Sequence, residues 1–132
     1  MDRMRLGYVI VYVPDVVDAL EFYERGFGLP RRFLHESGDF GEVDTGAVAL
    51  AFTSHRLGGS AVPVPYTPID AADPPVGFEL TLLADDVDAR YAAAVSAGAT
   101  PLAEPHDEPW GQRVSYVRDP FGVLVGIATP MP

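Results

Sequence analysis

The sequence predicts an α+β fold built from two copies of one strand–helix–strand–strand–strand unit. Three observations predict it. The punctuation repeats: Asp15 corresponds to Asp86, Leu20 to Tyr91 and Pro30 to Pro101, all at one constant separation. Each half opens on an apolar strand that runs into an Asp and then a helical stripe. Each half also closes on a tight turn between strands, Asp44-Thr45-Gly46 in the first and Asp119-Pro120-Phe121-Gly122 in the second. Neither half buries its apolar face alone, so the repeat predicts two half-open sheets facing each other around a cavity.

Taken in order, residues 6–13 (LGYVIVYV) read as a buried strand rich in Val, Ile and Tyr. Asp15 caps the following helix, whose stripe is Val16, Leu20, Tyr23 and Phe27, and Gly26, Gly28 and Pro30 stop it. Three short strands are expected at 31–36, 41–44 and 47–53. This first module spans 1–54. Periodicity is then lost in a connector at 55–75, which holds Gly58, Gly59, Pro63, Pro65, Pro68, Pro74 and Pro75 and is expected to be a structureless linker or lid. The second module spans 76–132. It has a strand at 76–83, a helix capped by Asp86 with Val87, Tyr91, Ala94 and Val95 as its stripe, a short edge strand near 101–104, and an acidic turn at 106–109. Residues 110–126 (WGQRVSYVRDPFGVLVG) form the closing hairpin. Its first arm alternates Val114 and Tyr116 on one face with Arg113 and Ser115 on the other.

Composition narrows the function classes. The chain has 132 residues, 48 % of them hydrophobic, as expected for a globular protein of one domain. It has no cysteine, which excludes disulfides and thiolate metal sites. A formal net charge of −10 opposes nucleic-acid binding and draws cations toward the surface. The apolar run at 6–13 is too short to span a bilayer and no signal-peptide pattern accompanies it, so a cytoplasmic protein with no membrane partner is expected.

The first half reads VPDVVDALEFYERGFGL at 13–29, the second ADDVDARYAAAVSAGA at 84–99, and the close WGQRVSYVRDPFGVLV at 110–125. In this order they resemble the vicinal-oxygen-chelate superfamily, which holds glyoxalase I, extradiol dioxygenases and the bleomycin-resistance proteins. The resemblance covers nearly the whole chain apart from the connector. It implies the glyoxalase/bleomycin-resistance fold, often assembled as a homodimer with grooves at the interface. Metal-dependent members present His, Gln or Glu from four strands. Counting from the punctuation, the matching positions here are Tyr8, Leu50, Glu79 and Gly126. One carboxylate cannot hold a divalent ion, and His35, His55 and His106 are expected in loops and turns, so no metal and no cofactor is expected.

The resemblance is closest to the bleomycin-resistance branch, in which an indole at a strand kink forms part of the drug groove. Trp110-Gly111 matches that feature, although the lone Trp also suits a core or interface role. Trp110, with the acids Asp107 and Glu108 beside it, suits a planar cationic guest. Tyr8, Phe33, Phe40, Phe52, Tyr66, Phe78 and Tyr116 are further candidate walls. Glu79 is read as a buried carboxylate that needs a reason: it is hydrogen-bonded inside the cavity or partly solvated, or it is a counter-charge for a bound cation, or a lone general base. Arg113 and Arg118 are expected in surface ion pairs, and nothing singles out Gln112. The expected function, as the resemblance implies, is metal-independent binding and sequestration of a small aromatic antibiotic, cationic or neutral, of the bleomycin type, or of a metabolite. The alternative is a metal-free enzyme on a small biosynthetic intermediate with Glu79 as base.

Overall fold

A computed structural model of the chain describes residues 1–132. The chain divides into two units, Met1–Pro68 and Ile69–Pro132, and the architecture is α+β with one four-stranded mixed sheet in each unit.

The first unit runs β1 (Tyr8–Val13), α1 (Val16–Phe27), β2 (Arg31–Leu34), β3 (Phe40–Val43), β4 (Ala49–Ser54) and α2 (His55–Ala61). Its strands lie in the order β1-β4-β3-β2, with β1 parallel to β4 and the other pairs antiparallel. Asp15 caps α1 by accepting from the Asp18 N–H at 3.0 Å, and Gly28 ends it in the left-handed region at φ 71°. The stripe at 16, 20, 23 and 27 is buried as its spacing predicts. Val11 and Phe52 are register partners on parallel strands, so they share the sheet face that carries this core. Tyr23 meets Phe27 and Phe52 at ring-centroid distances of 5.0 and 4.8 Å. Fully burying such side chains is worth about 1.5–3 kcal/mol each.

The second unit runs β5 (Glu79–Leu83), α3 (Val87–Ala97), β6 (Thr100–Asp107), β7 (Arg113–Arg118) and β8 (Leu124–Ala128), in the order β5-β8-β7-β6. It repeats the first: β5 is parallel to β8, and the Asp86 side chain caps α3 through the Ala89 N–H at 3.0 Å. The Arg113 guanidinium forks onto Asp88 of α3 at 2.8 and 2.9 Å and reaches Asp107 at 3.1 Å. That clamp fastens α3 to one face of β7. Arg113, Ser115 and Val117 therefore point to the helix side, where the Ser115 hydroxyl donates to the Ile127 carbonyl at 3.0 Å. Val114 and Tyr116 point the other way.

Two expectations need correction. The connector is not structureless at its start: α2 occupies its first seven residues, with Ser54 as N-cap to the Leu57 N–H at 3.1 Å. Gly58 and Gly59 read as breakers because glycine is a poor helix former. A Cβ on Gly58 would lie 2.7 Å from the Tyr12 ring and 2.8 Å from the Tyr66 hydroxyl, so glycine is there to let those rings close on the helix. The second correction concerns β6, which runs on through His106 and Asp107 rather than ending near 104. Its pairing with β7 skips register twice, and a strand carrying Pro101 and Pro105 does not read as regular.

The closing turn follows its sequence signature. Gly122 sits at φ 103°, and its N–H donates to the Asp119 carbonyl at 3.1 Å. The Asp119 carboxylate, only 2 % exposed, accepts from the Phe121 and Val123 N–H groups at 2.9 and 2.8 Å. Charge-assisted bonds of this kind contribute about 1.5–3 kcal/mol each. Asp119→Ala is expected to lower unfolding free energy by about 3 kcal/mol in urea denaturation. A loss below about 1 kcal/mol would show that the turn closes without it.

Candidate functional site

The face of the second sheet away from α3 is set by strand parity. Thr81 of β5 is in register with Gly126 of β8, which is in register with Tyr116 of β7. Glu79, Thr81, Val114, Tyr116, Gly126 and Ala128 share this face. With Trp110, Gln112 and Ser115 they line a pocket of about 160 Å³. Three sequence-predicted residues, Glu79, Trp110 and Tyr116, are thus brought together.

Glu79 is not a buried carboxylate but a solvated one that also keeps a hydrogen bond. It is exposed on this face, and its Oε2 accepts a hydrogen bond from the Thr81 hydroxyl, leaving Oε1 without a protein partner. Gly126 forms the floor beside it: a Cβ there would lie 2.6 Å from Oε2.

Trp110 stands in the β6–β7 turn, closed by the Gly111 N–H to the Glu108 carbonyl at 3.0 Å and the Glu108 N–H to the Gln112 carbonyl at 2.8 Å. Gly111 takes φ 100°, which only glycine adopts freely. The indole is 54 % exposed and therefore not a core residue of the isolated chain. Its Nε1–H donates to Gln112 Oε1 at 2.7 Å, and Gln112 Nε2 donates to the Thr129 carbonyl at 2.8 Å. Gln112 is a residue that the sequence did not single out. Its role depends on Thr129, which lies on the far arm of the hairpin. Thr81 was missed as well, although its spacing two residues after Glu79 on one strand face was a usable signal.

His106 holds the base of the same turn. Its Nδ1 faces the Glu104 carbonyl and its Nε2 faces Glu108 Oε1, both at 2.8 Å. Only the imidazolium donates from both nitrogens. The Glu104 carbonyl first, and then Glu108, raise its pKa, against the smaller opposing effects of desolvation and then of Arg113. Asp88 shifts the other way, its carboxyl held below the usual range by the hydrogen bonds from Arg113.

Several expected ligand contacts lie elsewhere. Asp107 is not beside the indole: its side chain is 80 % exposed and engages Arg113 on the helix-side face. Arg118 is not in a surface ion pair, because its guanidinium donates to the carbonyls of Gly122, Ala71 and Asp70 at 3.0, 3.2 and 3.1 Å. Phe52 is wholly buried against Tyr23 and cannot wall a groove. Within the first unit, Tyr8 and Phe33 are exposed on the sheet face opposite α1, and Phe40 lies 6.3 Å from Phe33 between ring centroids. Phe78 is exposed just ahead of β5. Tyr66 packs on Tyr12 at 4.9 Å, and its hydroxyl meets His55 Nδ1 at 2.7 Å. With His55, Gly59, Val62, Pro63 and Val64 it borders a separate open depression of about 450 Å³.

The metal-ligand positions also need one correction. Tyr8 is in register with Ala49, and Glu79 with Leu124, so the first-half match to Gly126 is Ala51, not Leu50. The run from Gly46 to β4 is one residue longer than that from Gly122 to β8, and a count from the turn glycine therefore slips onto the wrong face. Leu50 is buried on the α1 side. With Tyr8, Ala51, Glu79 and Gly126 at the four positions, the residues do not fit a metal. No group of three or more His, Asp or Glu side chains converges anywhere in the chain. No helix is long and apolar enough to cross a membrane.

A family model described as the Glyoxalase/Bleomycin resistance protein/Dioxygenase superfamily matches residues 5–127. An uncharacterized protein of Mycobacterium bovis is 31% identical over 130 residues, covering 90% of this chain and 79% of that protein. Among solved structures, a glyoxalase/bleomycin resistance protein/dioxygenase family enzyme from Burkholderia phytofirmans superposes with a TM-score of 0.74 at 25% identity, covering 96% of this chain and 98% of its own. A glyoxalase-related enzyme from Fulvimarina pelagi reaches a TM-score of 0.81 at 21% identity, covering 97% and 89%, a likeness of fold.

The His106 geometry carries a pH dependence. A raised folded pKa means that the turn's tie is fully present below the free-histidine value of about 6.5 and is lost as pH rises through the folded value. In an NMR titration His106 is expected to show a midpoint above that of free histidine, and Glu108→Gln to lower it. An unshifted midpoint would remove His106 as a fastener of the Trp110 turn.

Proposed function

Because the chain belongs to the Glyoxalase/Bleomycin resistance protein/Dioxygenase superfamily, we propose that its second sheet binds and sequesters a small planar aromatic cation, without a metal. The observation that carries this reading is that the Trp110 indole and the Glu79 carboxylate line one pocket. An indole face attracts and stacks on a flat cationic ring, and a carboxylate beside it supplies the counter-charge. The net charge of −10 raises the local concentration of cations and speeds their encounter. At about 160 Å³ the pocket is smaller than those that hold whole drug-sized ligands. It takes one ring system, the planar cationic part of an antibiotic or a metabolite, and the remainder of a larger guest stays outside.

A second reading uses the same carboxylate. Oε1 of Glu79 has no protein partner, so it is free to take a proton from a small substrate, which would make the chain a metal-free enzyme acting on a metabolic intermediate. The two readings part at Glu79→Gln. For a base, turnover is lost while binding persists; for a counter-charge, binding of the cation itself weakens.

With N-methylquinolinium as probe, Trp110→Ala is expected to weaken binding by calorimetry about tenfold or more, the scale of one ring stacked on an aromatic side chain. Glu79→Gln is expected to weaken it as well, and added salt to lower the wild-type affinity. Failure of the wild-type protein to bind any planar cation would overturn the proposal.

A further inference from the structure

We propose that Gly126 is the specificity-determining residue of this pocket, because its missing side chain is what seats the Glu79 carboxylate on the sheet, where it selects an organic cation. The inference rests on the reading of the pocket as a cation site and assigns the selectivity of that site to one position.

The backbone does not require glycine at 126. The left-handed glycines are 28, 38, 46, 98, 111 and 122, and Gly126 is not among them. It is an ordinary residue of β8, paired on both sides. The space around it is what requires glycine. A Cβ on Gly126 would stand 2.6 Å from Glu79 Oε2, 3.3 Å from its Cδ and 3.5 Å from Thr81 Oγ1. The carboxylate thus lies over the bare backbone of β8, turned along the sheet from its own register partner Leu124 toward Thr81. The Thr81 hydroxyl holds it there. Any larger residue at 126 pushes the carboxylate off this seat and away from the hydroxyl.

Position 126 is also where the family resemblance would place a metal ligand. Glycine supplies no donor atom there, and the Glu79 carboxylate takes up the space that a ligand side chain would need. The result is a fixed negative charge on the floor of a pocket that has an indole on its wall. That arrangement reads the charge of a flat guest separately from its shape: Trp110 holds any planar ring, and Glu79 discriminates between a cationic ring and a neutral one.

The displaced group in a Gly126→Ala variant is the far end of a flexible side chain, so the sheet is expected to fold unchanged. The test measures binding of N-methylquinolinium and of neutral quinoline to the wild type and to Gly126→Ala, with circular dichroism to verify the fold. The wild type is expected to prefer the cation. In Gly126→Ala that preference should fall about tenfold, while quinoline binds within about twofold of wild type. Thr81→Val removes the holding hydroxyl without adding volume, and it should reduce the preference in the same direction. An unchanged preference in both variants would overturn the assignment to Gly126 and leave the Trp110 pocket standing. Equal loss of both probes in Gly126→Ala would also overturn it, since Gly126 would then act on shape alone. No wild-type preference for the cation would overturn this inference, and no binding of either probe would overturn the cation site with it.

Discussion

The register of β8 is the constraint on which the second unit depends, and the buried Asp119 carboxylate sets it. By accepting two backbone N–H groups inside its own turn, Asp119 closes the β7–β8 hairpin at one length. Arg118 reinforces the turn by donating to the Gly122 carbonyl and to the carbonyls of Asp70 and Ala71. Given that register, Gly126 falls between Thr81 and Tyr116 and the pocket floor is bare backbone. A slip of one residue would turn Val125 or Ile127 onto that face and Gly126 into the helix-side core. The site therefore depends on a turn that does not itself touch it.

Around that floor, the polar groups are held before any guest arrives. Gln112 bridges the indole nitrogen to the Thr129 carbonyl, and Thr81 holds one oxygen of Glu79. Each bond removes freedom that binding would otherwise have to remove, which is the physical content of preorganisation. His106 and Glu108 fasten the base of the Trp110 turn from β6.

The first unit uses the same framework differently. Its parity-matched face carries Tyr8, Phe33 and Phe40 where the second carries Glu79, Thr81 and Tyr116. Its additional helix α2 carries Gly58 where Tyr12 and Tyr66 close on it. Repetition of the backbone has thus been kept while the chemistry of the two faces has diverged.

The sequence by itself determined the elements whose cause is local. Asp15 and Asp86 cap helices, Gly28 ends one, and Asp-Pro-Phe-Gly closes a hairpin, because each acts on its own neighbours within a few residues. The repeat followed from the same signals, whereas the acids expected beside Trp110 were Asp107 and Glu108, and its meeting with Glu79 in one pocket came only from the fold. Tertiary structure decided what depends on distant partners. Phe52 is core because Tyr23 covers it, Asp107 belongs to Arg113 because α3 docks there, and position 58 of α2 is glycine because two tyrosines close on it. Gln112 became legible only once Thr129 was beside it, whereas Thr81, two residues from Glu79 on one strand face, was legible in the sequence and was passed over. The slip from Ala51 to Leu50 has the same origin: strand pairing, not the spacing from a turn, decides which side of a sheet a residue faces.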